Sequence, residues 1–145
     1  MCVDGIQSLG AVPFDLDKVR ADFVAADAHK WMLGPEAIAL LYVNPEIRPR
    51  LRLYQYGWHM VEDCGNYAST AWEIARSARR FECGSPNMTG IHALHASLTL
   101  VEDTGMRAIE TRIMENSRFL IDFFLGQVLT GTDILVPWFP RHLSR

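Results

Sequence analysis

The chain opens with short apolar runs and closes with helical spacing. Met1-Cys2-Val3 is apolar and passes at once into Asp4-Gly5, which reads as the end of a strand running into a turn. Phe14 to Val19 reads as a short connection or a helical turn. Asp22-Phe23-Val24-Ala25-Ala26-Asp27 is a compact apolar run, consistent with a buried strand. Gly34-Pro35 marks a turn, and Ile38 to Val43 is the clearest strand, stopped by Asn44-Pro45. From Asn44 to Pro86 the pattern loosens, broken by Pro45, Pro49, Gly57 and Gly65, with room for a short helix within Tyr67 to Arg80. A stretch of that kind is usually functional or packed against something else. After Gly90 the spacing becomes helical: Ile91, Leu94, Leu98 and Val101 share a face, and Gly105 is placed as a C′ residue. A second helix carries Ile109, Ile113, Leu120, Phe123 and Phe124 and is expected to stop near Gly126, with a strand at Ile134 to Val136 beyond it.

Composition narrows the function classes. With 145 residues, 49% of them hydrophobic, and 14 basic against 17 acidic side chains, the chain suits one domain with a net charge of −3. That balance excludes a disordered tail and a strongly basic nucleic-acid binder. No run of 18 apolar residues exists, so no membrane-spanning helix and no membrane partner are expected. Met1-Cys2-Val3-Asp4 does not read as a signal peptide. Cys2, Cys64 and Cys83 show no C-x-x-C spacing, which implies free, partly buried thiols and a reducing cytoplasm. The histidines form no metal-ligand pattern, so no metal site is expected.

Two constellations carry chemistry. Asp4-Gly5-Ile6-Gln7 follows the first strand, and Ala28-His29-Lys30-Trp31 follows the second. In open α/β sheets, ligands sit at the carboxyl ends of strands. A lysine amine can hold an aldehyde as a Schiff base. A carboxylate can pair with a pyridinium nitrogen and keep that ring an electron sink, so a lysine and an acid are the two groups a pyridoxal phosphate site requires. Taken singly, Asp4-Gly5 is equally an ordinary turn, Lys30 a solvated charge and His29 a structural residue.

Two longer segments add to this pair. They are Asp4 to Ala11 (DGIQSLGA) and Asp22 to Glu36 (DFVAADAHKWMLGPE), and a third, Arg79 to Asn87 (RRFECGSPN), runs on into the Ile91–Gly105 helix. In order and spacing these resemble the cofactor core of class V aminotransferases. That family of fold-type I pyridoxal 5′-phosphate enzymes includes cysteine desulfurases and isopenicillin N epimerase-like proteins. The resemblance implies an α/β fold, part of the three-layer αβα large domain of fold-type I transferases. Residues 1–104 would supply the second half of that domain, and residues 105–145 the start of the small C-terminal domain.

The resemblance also implies roles. Lys30 would form the aldimine with the cofactor and move the proton at the substrate α-carbon. Asp4 would pair with the pyridine nitrogen, Gln7 would contact the phenolic oxygen, and His29 would shape the phosphate side. Ser85 falls where a hydroxyl reaches a phosphate in the partner subunit's site, which implies a homodimer. An amino acid is the implied substrate, and transfer, elimination (lyase) and epimerisation all remain open.

Some positions depart from the family. Asp27 stands where many desulfurases carry a phosphate-binding serine; an acid there would repel phosphate unless it faces away, and its presence favours the epimerase-like branch over the desulfurases. Ala37 and Ala39 replace glycines, and their methyl groups are expected to be absorbed. Cys64 and Cys83 do not occupy the place of a desulfurase nucleophile. Arg48, Arg50 and Arg52 read as a solvated basic face, with an anion contact at a dimer interface as the alternative. Trp58 fits either an active-site mouth or core packing, and His92 and His95 receive no role. The family's phosphate loop lies upstream of Asp4 and its substrate arginine downstream of Arg145, so the length reads as that of a fragment. The alternative to an enzyme is a truncated, catalytically inactive module that pairs with another subunit.

Overall fold

The computed structural model describes residues 1–129. Its centre is a three-stranded sheet in the order β1 (Cys2–Asp4), β2 (Phe23–Asp27), β3 (Ala39–Val43). β1 and β2 run parallel, with Asp4 opposite Ala25. β3 returns antiparallel, with Asp27 opposite Ala39 and Phe23 opposite Val43. A parallel pair needs a crossover, and residues 5–22 supply it, including the single-turn helix α1 (Leu16–Val19). Asp15 caps α1, its Oδ1 accepting from the amides of Asp17 (3.0 Å) and Lys18 (3.3 Å).

Strand alternation decides which face is covered. Val24 and Ala26 are buried, whereas Ala25 and Asp27 are exposed. The covered side carries a small core of Ala26, Ala28, Met32 and Leu94, with Leu9, Ile38 and Leu98 packed on it. Leu94 and Leu98 belong to α2 (Met88–Thr104), so one helix closes that face with the spacing the sequence predicts. The other face, with Ala25, Ala39 and the half-exposed Leu41, lies open.

α2 starts three residues earlier than its periodicity suggests. Asn87 forms the N-cap, with Oδ1 accepting from the Gly90 amide at 3.0 Å. It ends at Gly105, whose φ of 84° suits glycine. α3 (Met106–Leu129) runs through Gly126 instead of stopping there. A glycine inside a helix costs only about 1 kcal/mol, which the surrounding helix formers absorb. Phe119, Leu120, Phe123 and Phe124 on α3 remain exposed. The strand expected at Ile134 to Val136 lies outside the described residues.

The middle segment has no α-helix at Tyr67 to Arg80. Ile74 instead pairs with Val61 in an antiparallel bridge, and 3-10 turns occupy Arg48–Arg50, Trp58–Met60 and Ala78–Phe81. Arginine-to-carbonyl bonds tie this segment. Arg79 Nη2 donates to the carbonyls of Val61 and Glu62, both at 2.7 Å, and Arg48 Nη2 donates to that of Val43 at 3.2 Å. Arg48 is therefore a structural brace, while Arg50 and Arg52 are exposed. The three cysteines are free; Cys2 is exposed, against the expectation of partial burial, because it sits on the edge strand β1. No helix among the described residues is long and apolar enough to cross a membrane.

Gly10 joins the first crossover to the segment after β2. Its φ is 90°, and a Cβ there would lie 2.3 Å from the Trp31 carbonyl oxygen. Both the backbone conformation and the space forbid a side chain. Gly10→Ala is expected to lower stability by about 1–3 kcal/mol, read as the denaturant midpoint. An unchanged midpoint would show that the contact with Trp31 is not formed.

Candidate active site

The parallel pairing brings both strand ends to one place. Asp4 ends β1 and Asp27 ends β2, and both point toward the same end of the sheet. Register partners share a face and side chains alternate, so Asp4, Ala25 and Asp27 lie together on the open face. Asp27 therefore does not turn away from Asp4.

A tight turn follows β1. The Gly5 amide extends the ladder to the Ala25 carbonyl (2.7 Å), and the amides of Ser8 and Leu9 donate back to the Gly5 carbonyl at 3.0 and 2.9 Å. Asp4 Oδ1 accepts from the Ile6 amide at 3.0 Å, fixing that carboxylate in an Asx turn. Gln7 is carried outward on the same turn and is exposed.

The loop after β2 closes on itself. Fully buried Ala28 donates its amide to the Ile38 carbonyl at 3.0 Å, and the Gly34 amide returns to the Ala28 carbonyl at 2.8 Å. The Leu33 amide donates to the Lys30 carbonyl at 3.2 Å. His29 and Lys30 project from this loop and are exposed.

Two residues flanking the loop take left-handed backbone angles, Leu33 with φ 57° and Ala37 with φ 60°. Such angles cost a non-glycine residue of order 1 kcal/mol or more and persist only where the surroundings impose them. α2 imposes them. Ser97 Oγ lies 2.8 Å from the Leu33 carbonyl and 3.1 Å from the Ala93 carbonyl of its own helix, and its single proton goes to the nearer Leu33, while Asn87 Nδ2 donates to the Ala37 carbonyl at 3.1 Å. The position of Ala37 thus favours glycine for a physical reason, and the extra methyl is accommodated in a strained conformation held by Asn87.

Lys30 is one of two lysines in the chain. The other, Lys18, pairs with Asp15 at 3.3 Å. Among the described residues the Lys30 amine has no ion-pair or hydrogen-bond partner, and Asp4 has no cationic partner. An unpaired amine and an unpaired carboxylate at adjacent strand ends can attach an aldehyde and hold a protonated ring nitrogen. Gln7 adds an amide at the same end. Asp27, an anion on the same face, does not suit a phosphate. The described residues include no group of three His, Cys, Asp or Glu side chains that could hold a metal.

Ser85 lies elsewhere. With Ile38, Leu40, Ile91 and His95 it lines a hollow between β3 and α2. β1 and β3 are opposite edges of the sheet, so Asp4 and Ser85 flank β2 from either side. Asp4 and Gln7 follow β1 and His29 and Lys30 follow β2 at the same end of the sheet, and Ser85 stands beside the start of β3, whose Ala39 is opposite Asp27. Sequence reasoning assigned nothing to Asn87 and Ser97. An Asn just before a helical run signals a cap, but no local pattern reveals the bond from Ser97 to a carbonyl 64 residues away.

Comparison with known proteins places this arrangement. The class-V aminotransferase family profile matches residues 1–126, and the chain belongs to that family. A probable cysteine desulfurase of Pyrococcus abyssi (strain GE5 / Orsay) is 32% identical over 145 residues, which is 99% of this chain and 33% of that protein. The apo structure of the cysteine desulfurase from Thermococcus onnurineus NA1 matches with a TM-score of 0.69 and 27% identity, over 83% of this chain and 30% of that one. A C-DES mutant with glycine covalently linked to its PLP cofactor matches with a TM-score of 0.69 and 25% identity, over 80% and 30% of the two chains. The α/β fold is therefore similar to part of the fold of these solved relatives. The chain spans about a third of the length of the curated relatives it matches.

Replacing Ser97 or Asn87 with alanine is expected to loosen the Lys30 loop. Each lost bond is worth about 1 kcal/mol, so amide exchange at Ala28 and Gly34 should accelerate roughly fivefold per substitution. Unchanged protection in both variants would show that α2 does not hold the loop.

Proposed function

We propose that this chain carries the cofactor core of a pyridoxal phosphate-dependent enzyme acting on an amino acid, with Lys30 as its covalent lysine. The observation that carries the reading is the placement of unpaired Lys30, on a braced loop, at the same strand ends as unpaired Asp4. The family match and the PLP-linked solved relative support it.

When bound, the cofactor supplies an aldehyde carbon for attachment and a pyridine ring that draws electron density from the substrate α-carbon. Lys30 would hold the cofactor and move the proton at the substrate α-carbon. Asp4, oriented by the Ile6 amide, keeps the ring nitrogen protonated. Gln7 would offer its amide to the phenolic oxygen, and His29 would help shape the phosphate side. The anionic Asp27 leaves phosphate binding to other groups. Ser85 would serve a phosphate across a homodimer interface. The domain boundary falls at Gly105, where α2 gives way to α3. These proton movements are common to transfer, elimination and epimerisation, and the desulfurase relatives favour bond cleavage at a sulfur-bearing amino acid. A cytoplasmic setting suits the free thiols.

Titration of the chain with pyridoxal phosphate, followed in the visible spectrum, tests this. A saturable band distinct from that of the free cofactor is expected, lost in Lys30→Ala. In Asp4→Asn the cofactor should bind roughly tenfold or more weakly, the scale of a charge-assisted hydrogen bond. A band unaffected by Lys30→Ala would overturn the assignment.

A further inference from the structure

The irregular segment between β3 and α2 builds a second hollow, and none of Asp4, Gln7, His29, Lys30 or Ser85 lines it. Tyr56, Trp58, Tyr67 and Trp72 surround a space of about 300 Å³ floored by the buried Met60. Tyr56 and Trp72 stand edge to face with centroids 6.4 Å apart, and Trp58 and Tyr67 lie tilted at 6.5 Å. Tyr67 is 83% exposed and Trp72 65%, so the rings wall a cup open to solvent. Trp58 accordingly belongs to a mouth and not to the core.

The cup is held by its backbone. A Cβ on Gly57 would sit 1.9 Å from the Cys83 carbonyl oxygen, so the chain beside Trp58 passes close against residue 83. The Gly57 amide donates to Met60 Sδ at 3.2 Å, and the Tyr56 hydroxyl donates to the Leu53 carbonyl at 3.1 Å. Asp63 is the one charged residue in the lining, and it has no ion-pair partner among the described residues. The nearest imidazole, His59, packs edge-on against Trp58 at 5.2 Å and faces Glu82 at 3.5 Å, outside the lining.

Aromatic faces carry negative electrostatic potential, and several of them around one space favour a cation over a neutral guest of equal shape. An acid at the rim adds to that preference. A poorly hydrated organic cation meets both demands, because its methyl groups contact the rings while its charge is shared between them and Asp63. We propose that the cup binds a small organic ammonium ion, quaternary or heavily alkylated, between Trp58, Tyr67 and Trp72 with Asp63 as its counter-charge. At about 300 Å³ the space lies at the small end of ligand sites, which fits such an ion.

The probe is choline, compared by calorimetry with 3,3-dimethylbutan-1-ol, its neutral isostere, on the full chain. Choline should bind saturably and the isostere at least roughly threefold more weakly, as loss of the cation–π attraction requires. Trp72→Leu and the exposed Asp63→Asn should each weaken choline by roughly threefold or more, with circular dichroism unchanged. Equal affinity for the two probes, absence of saturable choline binding, or an Asp63→Asn variant that folds and binds choline at full strength would overturn the proposal.

Discussion

Two hydrogen bonds from one helix govern the geometry of the site. Ser97 and Asn87 of α2 reach the carbonyls of Leu33 and Ala37, the two residues that bend through left-handed backbone angles on either side of Gly34. Without those bonds the loop has little reason to stay bent, because neither residue is glycine. With them, Ala28 is locked into the core, and His29 and Lys30 must project from it. Asn87 has a double duty, since the same side chain caps α2 through the Gly90 amide. Helix formation and loop shape are thereby coupled: the cap that starts α2 also positions its carboxamide on the loop.

The sheet supplies the other half of the arrangement. Parallel pairing of β1 with β2 places the two strand ends side by side, and the Gly5 amide continues the ladder by one bond so that Asp4 is held at the edge of the turn. Small residues in β2 let α2 approach closely, and Ala26 and Ala28 form the core with Leu94. The opposite face is left open, with Asp4 and Asp27 on it. An open, half-apolar sheet face is a surface that a further layer or a bound group would cover.

Much of this was legible from residue patterns. The three strands, the helix ending at Gly105 and the resemblance carried by the DGIQ and AHKW segments follow from alternation, helical spacing and motif order. What escaped was non-local. Ser97 reads locally as a helix serine within reach of the Ala93 carbonyl four residues back, and nothing local signals its shorter bond to Leu33, 64 residues away. The short helix expected within Tyr67 to Arg80 is confined to the 3-10 turn that begins at Ala78, and Ile74 pairs instead with Val61 in an extended bridge that helical propensity cannot foresee. The φ of 60° at Ala37 gives the physical reason that a glycine suits this position.

The central claim is that this fold singles out one amine. The chain contains two lysines, which makes the claim sharply testable. Lys18 is exposed and paired with Asp15, while Lys30 stands unpaired on the braced loop. Borohydride reduction in the presence of pyridoxal phosphate, followed by peptide mapping, should place the pyridoxyl label on the peptide containing Lys30 and leave Lys18 unlabelled. Label on Lys18, or equal label on both, would contradict the account.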